Sequence, residues 1–276
     1  MKNEKSYELV LTALFTAIII VMAFTPLGYI PLVVINATII HIPVILGALF
    51  LGPKKGAFLG FVFGFTSFIN NTFRAATPSA FVFSPILAAN VVGVSGIFKS
   101  LYICFIPRIL VGIVPYFVYL LIRKLLKSEQ KLWRIIVNVV ISVLLAVSLN
   151  AFLNRLLADK LADKAAFSLI CILAGVVVGI LLFVTLTMLE RKKSTANTAL
   201  AYAGLSGAFT NTLLVMSGIF VLYKDTYAQT LGIAGEAVFD VIMGIITFNG
   251  IVEAMVAAII VAGVGLALIK IKPIKE

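Results

Sequence analysis

The chain has 276 residues, of which 62% are hydrophobic and only 12% charged, and its mean hydropathy is +1.17. A water-soluble domain of this length needs far more polar surface, so the composition excludes that class and leaves a polytopic membrane protein. The formal net charge of +11 would suggest nucleic acid in a soluble protein. Here the basic residues sit in short connections, where membrane topology accounts for them and no nucleic-acid partner is expected.

A span requires roughly 20 mostly apolar residues. Eight segments qualify: 7–28, 34–51, 55–73, 101–122, 133–153, 166–189, 197–222 and 240–269. The expected class is therefore all-α, a polytopic helical bundle forming a single membrane domain over 1–276. The first run follows Met1-Lys2-Asn3-Glu4-Lys5 and precedes many more, which predicts a span and not a cleaved signal. It contains Ala13 and Ala17, a small-xxx-small pair. The second and third segments flank Gly52-Pro53-Lys54-Lys55-Gly56, a hairpin with a positive turn. Asn36, Thr38 and His41 lie on one arm, and Asn70, Asn71 and Thr72 on the other. Uncharged hydrogen-bonding groups are costly in lipid, so they should face the protein interior or a cavity. Gly52, Gly56, Gly60 and Gly64 recur every four residues, a stripe that predicts close helix packing inside the bundle. Gly175 and Gly179 repeat the theme.

Residues 74–100 and 223–239 are too apolar for solvated linkers and are expected to form lids on one face. With the N-terminus inside, fifteen basic residues fall on the inner side and six on the outer. That asymmetry predicts a multi-pass protein of the cell membrane with both termini cytoplasmic.

Helical rise converts offsets into depths. Arg108 is about 7 residues into its span, roughly 10 Å deep. Asn249 is roughly 14 Å deep, His41 is similar, and Asn211 lies roughly 21 Å up from the inner side of a ~30 Å core. Asn71 is near the outer end of its span. These groups are expected to share one outer layer, as an outward-facing substrate pocket would require. An interhelical role for each Asn and a structural role for His41 stay open. A buried guanidinium costs several kcal/mol unless paired. Arg108 therefore meets an anionic ligand, pairs internally, with Glu253 as one candidate, or bonds helix-end carbonyls.

No GxxxxGK[ST] loop or GxSxG elbow occurs, and the single histidine rules out HExxH. Cys104 and Cys171 have neither disulfide-framework nor metal-ligand spacing. No catalytic residue, metal or cofactor is expected, and an integral membrane enzyme is the disfavoured alternative. The halves show no obvious inverted repeat, which argues against a self-sufficient carrier, the other alternative.

Several pieces occur in one order: Ala13-xxx-Ala17, His41-Ile-Pro, Leu51-Gly-Pro-Lys-Lys-Gly-Ala-Phe-Leu-Gly, Phe63-Gly-Phe-Thr-Ser with Asn71-Thr72, Pro107-Arg108-Ile-Leu-Val-Gly112, Thr210-Asn211-Thr212 and Asn249-Gly-Ile-Val-Glu253-Ala. Together they resemble the substrate-binding S component of energy-coupling factor (ECF) vitamin transporters. The fit is best to the pantothenate type, through Asn36-Ala-Thr-Ile-Ile-His-Ile-Pro and the run from Ile106 to Tyr116. The resemblance implies a six-helix core at 7–126 and 197–272, with residues 127–195 as an inserted two-helix hairpin. It implies a membrane T component and two cytoplasmic ATPase subunits as partners. Ala13 and Ala17 become docking residues, and the first loop, around 27–36, becomes a gate. Arg108, Asn71, Asn211, Asn249, Tyr116, Asn36 and His41 become the substrate-binding set. One arginine among neutral polar groups suits a small monoanion such as pantothenate; folate and riboflavin remain alternatives.

Overall fold

The computed structural model describes residues 2–31, 36–75, 77–127, ten positions between 135 and 150, 164–191, 195–271 and 273–274. Helix α1 (Lys2–Phe24) leads through a short 3-10 turn into a two-stranded antiparallel ribbon, β1 (Tyr29–Pro31) and β2 (Asn36–Thr38), with Tyr29 opposite Thr38. The all-α expectation thus needs a small correction: part of the first connection is β-paired. The second expected span, 34–51, is shortened for the same reason. Helix α2 (His41–Leu51) starts only at His41, with Pro43 in its first turn, where a missing N–H leaves no bond unmade. Its 11 residues rise only about 16 Å, too little to cross a bilayer alone.

Gly52 has φ +88° and ends α2, and α3 (Pro53–Phe73) begins at the next residue. A residue with a side chain would be strained at that angle. A 3-10 turn (Pro78–Phe83), α4 (Pro85–Val92), α5 (Val94–Val111) and α6 (Val114–Lys127) follow. The described positions of 135–150 are helical. The chain closes with α7 (Lys164–Arg191), α8 (Thr195–Leu231) and α9 (Ala237–Ile269). Trp133, Asp159 and Lys160 lie outside the described residues.

Four helical stretches among the described residues are long and apolar enough to cross a membrane: Lys5–Phe24, Val94–Leu126, Ala196–Leu231 and Ala237–Ile269. The protein is a membrane helical bundle. The last three run 33, 36 and 33 residues. At ~1.5 Å per residue each exceeds a ~30 Å core, so they must tilt or project beyond it. The two expected lids shrink accordingly. Residues 94–100 belong to α5, and residues 232–236 are all that separates α8 from α9.

The glycine stripe packs as expected within the bundle. A Cβ on Gly56, Gly60 or Gly64 would run into the backbone carbonyls of Gly112, Arg108 and Cys104 respectively. Helices α3 and α5 are therefore antiparallel and in backbone contact along three turns, and Cys104 Sγ donates to Gly64 O at 3.1 Å. Gly52 stands apart, with open space around it. Gly175 and Gly179 do the same for α7, against the carbonyls of Ala146 and Ser142. That pair is tied to the rest of the bundle by a 2.8 Å bond from Tyr202 Oη on α8 to Asn138 Oδ1.

Candidate functional site

Interhelical contacts set a register. Gly60 faces Arg108 across α3 and α5. Gly218 faces Ile103 and Gly207 faces Pro115, so α8 runs antiparallel to α5 and α6, and Arg108 lies level with residues 212–214. Gly250 packs on Thr212 and Gly204 on Ala257, which puts Asn249 at that level too. Gly207 also abuts Ile45, and His41 lies one helical turn from Ile45, on the side of Asn211. Arg108, Asn211, Asn249 and His41, from four helices, thus share one layer.

All four are buried, His41 completely. Asn211 Oδ1, Asn249 Oδ1 and both ring nitrogens of His41 have no hydrogen-bond partner among the described residues. Buried polar atoms are rarely left so, because each costs about 1–3 kcal/mol. Four such atoms at one level leave hydrogen-bonding capacity that a polar molecule could use.

Arg108 is held differently. Its Nη1 donates to the Ile103 carbonyl at 2.6 Å, and the guanidinium carbon lies 4.9 Å from the ring centre of Phe83 and 5.6 Å from that of Phe63. Phe83 ends the 3-10 turn Pro78–Phe83, whose Ala80, Phe81 and Val82 are buried. That turn is pinned by Ser100 Oγ donating to Phe81 O at 3.0 Å, and Tyr223 Oη, 2.7 Å from Ser100 Oγ, donates to Gly96 O. The Pro78–Phe83 segment is therefore folded into the bundle and covers Arg108 from one side. Because α5 starts at Val94, Arg108 is 14 residues into its helix and about 21 Å along it.

Glu253 lies one turn from Asn249 on α9 and is 5% exposed. Its Oε1 accepts the Thr38 N–H at 2.8 Å and its Oε2 the Thr212 hydroxyl at 2.9 Å. One carboxylate thus ties the β-ribbon to both α8 and α9, directly beside the layer.

Other expected residues fall elsewhere. Asn71 is 11 residues beyond Gly60, about 16 Å along α3, and its Nδ2 donates to Ser67 O at 2.8 Å. It stands outside the layer because one helical segment cannot hold two groups that far apart at one depth. Tyr116 lies in α6, eight residues past Arg108 and about 12 Å toward the lysine turn, its ring edge-on to Phe117. Asn36 lies in β2, opposite Pro31. Ala13 and Ala17 are both exposed on α1, on the face opposite buried Phe15 and Ile19. Sequence reasoning missed Phe63 and Phe83 as neighbours of Arg108, and Thr38 and Thr212 as donors to Glu253. The apolar character of 74–100 was the available signal for the first pair. The second pair carries no local signal, since the contacts join residues 215 and 41 positions apart.

A family described as ECF transporter, substrate-specific component, matches residues 8–163, more than half of the chain. The chain is 44% identical over 128 residues to the pantothenic acid transporter PanT of Lactococcus lactis subsp. cremoris, a match covering 43% of this chain and 61% of that protein. It is 38% identical over 119 residues to the pantothenate transporter PanT of Leuconostoc mesenteroides subsp. mesenteroides, covering 41% and 51%. The chain thus spans less than two thirds of either relative's length.

Proposed function

Because this chain belongs to the substrate-specific component family of ECF transporters, we propose that it is the vitamin-binding membrane subunit of an ATP-driven importer, with pantothenate as its substrate. The observation that carries the reading is the buried layer at Arg108. There the Arg108 guanidinium offers positive charge to an anion, and the Asn211 and Asn249 carbonyl oxygens, without a partner among the described residues, accept from hydrogen-bond donors. Pantothenate supplies one carboxylate, one amide N–H and two hydroxyls. The names of the two similar transporters support the same substrate. Family and relatives are transporters and not enzymes.

The test is mass spectrometry of the small molecule released from purified protein, followed by titration with pantothenate, folate and riboflavin. Release and saturable binding of pantothenate support the reading; selective binding of either other vitamin reassigns the substrate. In titrations, Asn211→Ala and Asn249→Ala each weaken pantothenate binding by about 1–3 kcal/mol, the cost of leaving a buried ligand group unmatched. Asn71→Ala, outside the layer, leaves affinity at the wild-type value. A loss confined to melting temperature at Asn211 and Asn249 would make them helix-bonding residues only.

In this reading residues 7–126 and 197–272 form a six-helix core, 127–195 add a two-helix hairpin, and both termini are cytoplasmic. A membrane T component and two ATPase subunits supply the drive. Ala13 and Ala17, exposed one turn apart on α1, let a partner helix approach closely, as only small side chains allow. Leu at both positions blocks co-purification with the T component and lowers cellular uptake, while the purified subunit binds pantothenate normally. Full uptake by the double variant would remove this face from the docking surface.

A further inference from the structure

Pro107 lies inside α5, one residue before Arg108. In an α-helix the N–H of residue 107 would bond the carbonyl of residue 103, and proline has no N–H to give. The Ile103 carbonyl is therefore released from the helix ladder. In a bilayer no water can reach a buried carbonyl, so it must find a protein donor. The donor it finds is Arg108 Nη1, at 2.6 Å. A helical side chain leans back toward the N-terminus, which carries the guanidinium onto this atom. The rings of Phe63 and Phe83 flank the same group.

We infer that Pro107 is a positioning residue for Arg108: by opening the Ile103 carbonyl it creates the acceptor that fixes the guanidinium in the ligand layer. The proline's conformational cost to the helix is thereby tied to the site. Restoring an N–H at position 107 returns the carbonyl to the helix and removes this charge-assisted bond from the guanidinium. The placement of that anchor in a ligand layer rests on the reading proposed above, but the anchoring itself does not.

Thermal unfolding without ligand, on the wild type, Pro107→Ala, Arg108→Ala and the double variant, tests the anchoring alone. Arg108→Ala bares the Ile103 carbonyl and lowers the melting temperature. Pro107→Ala added to it raises the melting temperature again, because the new N–H takes the carbonyl. Pantothenate titration of the single Pro107→Ala variant then shows binding weakened about tenfold with no loss of thermal stability, the opposite pattern to ordinary structural damage. Pro107→Val, which also restores the N–H, replaces it should Pro107→Ala not fold. Melting shifts that simply add, or wild-type affinity in the Pro107 variants, would overturn the inference. If the wild type itself binds no pantothenate, the substrate reading falls while the melting cycle still decides the role of Pro107.

Discussion

Arg108→Ala is expected to weaken pantothenate binding by about 1.5 to 3.5 orders of magnitude. The guanidinium is 6% exposed, in a layer with three other buried polar side chains. An anion placed there without it loses its charge partner, and truncating one member of a buried charged pair costs about 2–5 kcal/mol. Arg108→Lys recovers little. A lysine ammonium lacks the planar fork that can hold the Ile103 carbonyl and a ligand carboxylate together, and it stacks less well between Phe63 and Phe83. Calorimetric titration measures the affinity, and a melt confirms the fold. Normal binding by the alanine variant would confine Arg108 to its carbonyl and put the vitamin elsewhere.

The second large effect is expected at Gly60. Its missing side chain lets α3 lie against the backbone of Arg108 and Ile109. Even a methyl group there meets the Arg108 carbonyl, which cannot swing aside as a flexible side chain would. Gly60→Ala should therefore cost about 1–3 kcal/mol by overpacking. It should also weaken pantothenate binding, since the helix that must shift carries the arginine. Gly263→Ala on α9 is the control: nothing lies near its added Cβ, and alanine favours the helix. Thermal unfolding of the two variants in the same nanodiscs separates the cases. Equal melting temperatures would mean that α3 and α5 are not in backbone contact at Gly60.

The glycine stripe was legible in the sequence because its four-residue period is a property of one helix, and such stripes in apolar helices serve close packing. The stripe alone did not identify the partner helix. That partner is α5, and the contact fixes the depth of Arg108. Counting depths from expected span ends grouped Asn71 with Arg108, whereas the register of α3 against α5 separates them. Span ends in a membrane sequence are marked only by where apolar residues stop, and helices α5, α8 and α9 continue through the apolar connections that were expected to be lids. The β-ribbon was invisible for a different reason. Its six paired residues are short, and they are held by Glu253 from the far end of the chain, not by their own propensity.

Composition alone determined that this protein lives in a membrane, because a chain with 62% hydrophobic residues has no other way to keep its surface solvated. Local order alone determined which residues were candidates: an intramembrane Arg108 after a proline, and lone asparagines in apolar runs. Only the tertiary structure decided which of them meet. Depth in a bundle depends on how antiparallel helices slide against one another, and that is set by backbone contacts at Gly60, Gly207, Gly218 and Gly250 between segments far apart in sequence. Those contacts bring Arg108, Asn211, Asn249 and His41 to one level and leave Asn71 and Tyr116 outside it.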